Sequence, residues 1–359
     1  MIESQLFESN IPSEVIKNIE SQDYLAIDTE FMREKTFFAQ LCLIQVGLPS
    51  SIYCIDALLN LELEKFWESA SKKKWVIHSA RQDLEVIYQT SNTLPVNLFD
   101  TQIASGILGY VPQIGYASLV ENLFGVTLEK NQTRANWSKR PFTKEMLKYA
   151  AEDVEYLLES HEILTERLQR LGRITWAEED SNILINKDIF KASTKNAADR
   201  IRAIQYLTGK EKKAAYLIAG WREERAITKD LPRKWILSDK TIIDIATMGI
   251  KEINDLRKVK NLSASFISHY NEEILNLLEA SSSDHENYIA QLKITEQQKK
   301  IVNEMSKTIK EASEKLEIYP EILASKKELK ALVCGNINSR VINGWRKNII
   351  GNKLLNLMP

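Results

Sequence analysis

Cysteine is scarce in this chain of 359 residues. The three that occur, Cys42, Cys54 and Cys334, are odd in number and show no Cys-x-x-Cys spacing. That pattern excludes a closed disulfide framework and a thiolate zinc site. Each lies among apolar neighbours and reads as a core residue. Long apolar runs are missing too, since none reaches the length of about 20 residues that crosses a bilayer. The first residues, Met1-Ile2-Glu3-Ser4, lack the basic start and apolar core of a secretory signal. These absences set the expectation of a soluble, cytoplasmic protein with no membrane partner.

What is present is ordinary for a globular chain: 44% hydrophobic and 27% charged residues, which excludes a wholly disordered protein. The length exceeds what one hydrophobic core serves, so two or three domains are expected. The net charge of −1 conceals an asymmetry. Residues 1–200 carry 29 acidic and 21 basic side chains, against 20 and 27 in residues 201–359. An acidic half beside a basic half suits a metal site joined to a polyanion-binding module.

The hydrophobic pattern gives a short helix over 12–20, then strands over 24–30, 41–46 and 52–55, close enough in sequence for an antiparallel meander. A helix over 61–71 leads to a strand at 75–78, a helix at 83–89 and a strand at 97–100. A long helix is expected from Lys144 through Leu164. Strands alternating with helices after a meander indicate an α/β domain with a mixed sheet. Residues 205–285 and 295–359 read as helical, and Ser281-Ser282-Ser283-Asp284 reads as the linker between them.

Three stretches carry chemistry. In the strand over 24–30, side chains alternate, so Ala26, Asp28 and Glu30 share one face, opposite Leu25, Ile27 and Thr29. Two carboxylates leaving a buried strand side by side call for a cation partner or a hard divalent ion such as Mg²⁺. A solvent-exposed strand end is the commoner meaning of an isolated Asp-x-Glu. Asp83 follows a strand end in His78-Ser79-Ala80-Arg81-Gln82-Asp83, where open α/β sheets gather functional groups and where Asp also caps helices. His78 either approaches a substrate or fills the strand end. Tyr149 and Asp153, at i and i+4, lie one helical turn apart on one face. Core packing and pairing with a lysine is the plainer account of that pair.

Asp28-x-Glu30, Asp83 and Tyr149-x-x-x-Asp153 together resemble the DEDDy group of 3′ to 5′ exonucleases in the ribonuclease H-like superfamily. Asp28-Thr29-Glu30-Phe31, Leu98-Phe99-Asp100-Thr101-Gln102, Gly125-Val126-Thr127-Leu128-Glu129-Lys130 and Arg134-Ala135-Asn136-Trp137-Ser138-Lys139-Arg140-Pro141 are similar, in order and spacing, to the ribonuclease D family. Trp221-Arg222-Glu223-Glu224-Arg225-Ala226 and Leu231-Pro232-Arg233 resemble an HRDC domain. Leu323-Ala324-Ser325-Lys326-Lys327-Glu328-Leu329 and Gly344-Trp345-Arg346 resemble a second one. Departures are minor: Gln82 before Asp83, and Ala39 where the family often has proline.

The resemblance implies an α/β fold, with a ribonuclease H-like mixed-sheet exonuclease domain over 1–200. Two all-α HRDC-type helical domains follow, at 205–285 and 295–359. It implies a 3′ to 5′ exoribonuclease that removes nucleoside 5′-monophosphates from tRNA precursors and other small structured RNAs, working as a monomer. Two divalent ions, Mg²⁺ or Mn²⁺, are implied as cofactors, roughly 4 Å apart. Asp28 is then expected to bridge both, Glu30 and Asp153 to complete the site near the nucleophile, and Asp83 to hold the second ion through water. Tyr149 is expected to orient or deprotonate the attacking water. A DNA exonuclease of the same superfamily and a non-catalytic RNA-binding adaptor are the alternatives, and the intact ligand set argues against the latter.

Substrate contacts are expected from Thr29, Phe31, Met32, His78, Arg134 and Trp137. Phe31 and Met32 are placed to stack on the terminal base, although core packing serves Phe31 equally well. Arg134, Trp137, Lys139 and Arg140 form a basic and aromatic cluster suited to RNA backbone, in which Trp137 is also suited to anchoring a loop. In the helical half, Lys210, Lys212, Lys213, Arg222, Arg225, Arg233 and Lys234 are candidates for phosphate contacts.

Overall fold

The computed structural model describes residues 4–59, 63–129, 131–132, 134–194, 196–283, 287–288 and 294–358. Its contacts divide into two compact units, one made of Met1–Met32, Gln40–Phe190 and Ile294–Pro359, the other of Arg33–Ala39 and Lys191–Lys293.

The first unit is built on a sheet of β1 (Ser4–Phe7), β2 (Tyr24–Met32), β3 (Gln40–Leu48), β4 (Ser51–Asp56), β5 (Lys74–Ile77) and β6 (Asn97–Asp100), in the order β1-β4-β3-β2-β5-β6. β2, β3 and β4 form the expected antiparallel meander, while β5 and β6 extend it in parallel from β2. β1, which the sequence pattern does not reveal, pairs in parallel with β4. Between Glu30 and Phe31 the β2–β3 register shifts: Glu30 faces Leu43 and Phe31 faces Leu41, leaving Cys42 as the extra residue of a bulge.

Helices α1 (Ser13–Glu20), α2 (Glu64–Ser71), α3 (Arg81–Ser91), α4 (Thr101–Ile107), α5 (Tyr116–Phe124), α6 (Lys144–Glu155), α7 (Leu157–Arg170) and α8 (Ile174–Asn182) cover the sheet. Of the helix expected over 61–71, residues 61 and 62 lie outside the described residues. The single helix expected from Lys144 through Leu164 is instead two, because the chain leaves helical geometry at Tyr156, whose amide bonds to the Tyr116 hydroxyl at 3.1 Å. α6 lies close on β2 and β3. A Cβ on Gly47 would sit 3.0 Å from both Ala26 Cβ and the Val154 carbonyl, so only glycine admits the helix at this depth.

The segment 295–359, read from sequence as a domain of its own, shares this contact unit through α14 (Glu296–Leu316), α15 (Pro320–Leu323) and α16 (Lys326–Val333). Arg346, 2% exposed, holds Asp180 through two bonds of 2.7 Å, and the Trp345 ring stacks on Trp176 at 4.3 Å. Cys334 is exposed, unlike the buried Cys42 and Cys54, because it ends α16 beyond the last inward turn.

The second unit is helical, with α9 (Gly209–Thr228), α10 (Arg233–Ile236), α11 (Asp239–Thr247), α12 (Ile253–Leu256) and α13 (Ala264–Ala280) around Ala215, Ile218, Ile242, Ile245 and Ile274. It takes in Arg33–Ala39, where the Phe37 and Phe38 amides donate to Asp230 at 3.0 and 2.9 Å. Ser281, expected in a linker, is buried at the end of α13 and donates to the Leu278 carbonyl; Asp284 lies outside the described residues.

Candidate active site

Alternation along β2 puts Asp28 and Glu30 on one face, and α6, seated close above Ala26 and Gly47, brings Asp153 to them. Ligand oxygens of Asp28, Glu30 and Asp153 lie within 4.8 Å of one another. Asp83, in the first turn of α3, is buried and accepts from the Thr29 hydroxyl at 2.6 Å. Its loop is fixed by Asp100, also buried, whose carboxylate accepts from the amides of Ser79, Ala80, Gln102 and Ile103 at 2.8–3.2 Å. Only the bonds to Gln102 and Ile103 have a local signal, an Asp at a strand end ahead of a helix.

Among the described residues, none of these four carboxylates forms a salt bridge with a lysine or arginine. Burial raises them all, and nearby like charges add to it, for Asp83 that of Asp100. Asp28 is held well above the ordinary carboxylate range by burial first, then by Asp83, Asp153 and Glu30. Glu30 is pushed up to about 9 by burial and by Asp153 and Asp83. Asp83 and Asp153 rise to about 7, chiefly through burial, with hydrogen bonds from Thr29 and Tyr149 pulling the other way. The Tyr149 hydroxyl thus donates to Asp153 one turn on, as the i, i+4 spacing requires. Oxygen ligands at this spacing, with their charge uncompensated by the chain, fit a hard divalent cation.

The remaining sequence-derived residues separate. Phe31 and Met32 are half-buried beside the carboxylates, and Arg134 is exposed. His78 is spent inside the fold: Nδ1 lies 2.9 Å from the Thr101 hydroxyl and Nε2 2.9 Å from the Ile114 carbonyl, so its ring ties a loop to the strand end and has no free nitrogen for substrate. Thr29, through its bond to Asp83, serves the carboxylates. Trp137, 2% exposed, packs with Phe142 and Met146 and lies 6.2 Å from the Tyr149 ring, so it backs the tyrosine and does not face solvent. Arg140 is also occupied. It grips the buried Asp56 through Nε and Nη2 and donates to the carbonyls of Trp137 and Cys42 at 2.7 and 3.1 Å. In the helical unit, Arg222, Arg225 and Arg233 pair with Asp239, Glu273 and Glu223, each at 2.6 Å. Lys210 and Lys234 are exposed.

A cleft of about 190 Å³ opens beside Tyr149 and Asp153, lined also by Tyr116, Ala117, Leu128, Glu129 and Glu152. Tyr116 lines this cleft, and no sequence signal marked it. Its ring packs 5.6 Å from His78, and its hydroxyl is raised by burial, with Asp153 and Asp28 adding to the effect.

Residues 6–169 match the 3′-5′ exonuclease domain family, and residues 211–278 match the HRDC domain family. The chain is similar to ribonuclease D of Bartonella henselae, at 31% identity over an alignment covering 94% of this chain and 86% of that one. It is also similar to ribonuclease D of Sphingobium indicum, at 31% identity with coverage of 95% and 90%. Among solved structures it is similar to Escherichia coli RNase D, described as an exoribonuclease involved in structured RNA processing. That likeness has a TM-score of 0.88 at 25% identity and covers 99% of this chain and 98% of the other.

Proposed function

We propose, for a chain that belongs to the ribonuclease D family and is a 3′ to 5′ exoribonuclease, that Asp28, Glu30, Asp83 and Asp153 hold two divalent ions, Mg²⁺ or Mn²⁺. The observation that carries this reading is the convergence of three carboxylates, none of them salt-bridged among the described residues, with ligand oxygens within 4.8 Å of one another. When bound, such ions acidify a water and neutralise charge on the scissile phosphate. The chain supplies the rest. Asp28 and Glu30 are fixed by the strand pair, and Asp83 is oriented by Thr29. Tyr149, donating to Asp153, holds its hydroxyl at the mouth of the cleft, where it orients the attacking water. Bonded to Asp153, Tyr149 acts by position.

The products are nucleoside 5′-monophosphates, taken one at a time from the 3′ end. Phe31 and Met32 flank the terminal nucleotide, and exposed Arg134, Lys210 and Lys234 supply phosphate contacts. The substrates are tRNA precursors and other small structured RNAs, handled by a cytoplasmic monomer. Purified protein with 5′-labelled tRNA precursor and Mg²⁺ tests this reading. A ladder shortened from the 3′ end, absent with EDTA and with Asp28→Asn, is the expected result. Internal cuts, or shortening that survives EDTA, contradict it.

A further inference from the structure

Gln45 occupies a position where an apolar residue is expected. It sits in β3 between Ile44 and Val46 and is 0% exposed, yet among the described residues neither its amide nitrogen nor its carbonyl oxygen has a partner. Buried polar groups are almost always bonded, because losing water without a replacement is costly. The sheet register shows what lies beside it. Its cross-strand partner in β2 is Asp28, and in β4 it is Cys54. Directly paired residues share a face, with Cβ atoms about 4.5–5.5 Å apart. Along β3 the neighbours on that face are Leu43 and Gly47. Cys54, Leu43 and Gly47 offer the carboxamide no strong side-chain partner. Asp28 does.

We propose that Gln45 is a positioning residue for Asp28: its amide nitrogen donates to the Asp28 carboxylate when that group turns to hold a divalent cation, fixing which oxygen faces the ion. The proposal rests on Asp28 being a metal ligand. Its logic is that of an outer partner that orients a ligand, whose loss weakens metal binding by about 10- to 100-fold.

Gln45→Met, close in volume and without polar atoms, separates this role from a structural one. Three quantities decide it: the melting temperature of the metal-free protein, the Mn²⁺ affinity by calorimetry without RNA, and the steady-state kinetics of RNA shortening. The expected result is a melting temperature equal to or above that of the parent, with Mn²⁺ bound about 10-fold more weakly. kcat should fall while KM for RNA stays within about twofold, because the change acts on the metal site and not on RNA binding. Unchanged Mn²⁺ affinity overturns the proposal, whether the melting temperature rises or falls. If Gln45→Met does not fold, Gln45→Leu takes its place. Failure of both also overturns it, since the amide would then be a determinant of the fold. Asp28→Asn, measured alongside, keeps the two readings apart. Undiminished Mn²⁺ binding there removes Asp28 from the site. Lost binding there, with none lost in Gln45→Met, defeats the present proposal alone.

Discussion

Glu223 in the helical unit and Glu30 in the sheet unit are both withdrawn from solvent, and their electrostatics are opposite. Burial pushes Glu223 up, but Arg233 and Arg200 bond to it at 2.5–2.7 Å and hold it below its ordinary value. Burial also pushes Glu30 up, and its neighbours Asp153 and Asp83 push further, to about 9. One carboxylate is compensated by cations the chain itself provides. The other stands among like charges and, among the described residues, has no such partner. Asp56 follows Glu223, with Arg140 as its cation; Asp28, Asp83 and Asp153 follow Glu30. On the function proposed above, the difference separates carboxylates that hold the fold together from carboxylates that would take an ion from outside.

Substitution breaks the comparison at either end. Asp28→Asn takes a charge out of the repelling group, so kcat should fall by at least about 100-fold, the scale of losing one preorganised charge-stabilising group. The metal-free melting temperature should not fall. A destabilised Asp28→Asn with normal kcat would place Asp28 with Glu223. Tyr149→Phe keeps all four carboxylates, and should lower kcat by about 100-fold, the scale of losing the positioning of a reacting group. Mn²⁺ affinity should be retained, as calorimetry will report.

The pH dependence sharpens the same contrast. Acids raised in the folded state add nothing below their unfolded pKa values near 4, where both states are protonated. Above that the unfolded chain ionises first, so the metal-free protein should lose stability as pH rises through about 7, set by Asp83 and Asp153, and on towards about 9, set by Glu30. Mn²⁺ at a hundredfold excess over its Kd should restore about 2.7 kcal/mol, and a fixed Mn²⁺ concentration should restore more at pH 8 than at pH 6, because bound protons must leave and the Kd falls as pH rises. Thermal melts at the two pH values check this. Glu328, lowered to about 2 by Arg340 and Ser325 against the upward push of burial, behaves in the opposite sense: its contribution is present above pH 4.5 and fades as pH falls towards 2. The smallest effect is expected for Glu223→Gln, a loss of about 1–3 kcal/mol of stability with the metal requirement of the nuclease unchanged, measured by urea denaturation.

Much of the carboxylate cluster was legible because its geometry is local: alternation in β2 pairs Asp28 with Glu30, and i, i+4 spacing in α6 pairs Tyr149 with Asp153. What was hidden depends on partners distant in sequence. β1 is four residues long and finds its place only by pairing with Ile52–Ile55. Arg140 and Trp137 stand in a basic, aromatic run that reads as an RNA grip, until Asp56, 84 positions away, claims the guanidinium. Arg222, Arg225 and Arg233 have the same history. His78 looked available because neither Thr101 nor Ile114 is near it in sequence. The break at Tyr156 escaped notice since the apolar spacing of α6 runs on into α7 without a proline or glycine to mark it.

The most direct test of the contrast is calorimetric titration of Mn²⁺ into metal-stripped protein at pH 7, in two buffers of different ionisation enthalpy. Unpaired, raised carboxylates predict saturable binding accompanied by proton release, with both diminished in Asp28→Asn. Binding without proton release, or binding indifferent to that substitution, would contradict the account.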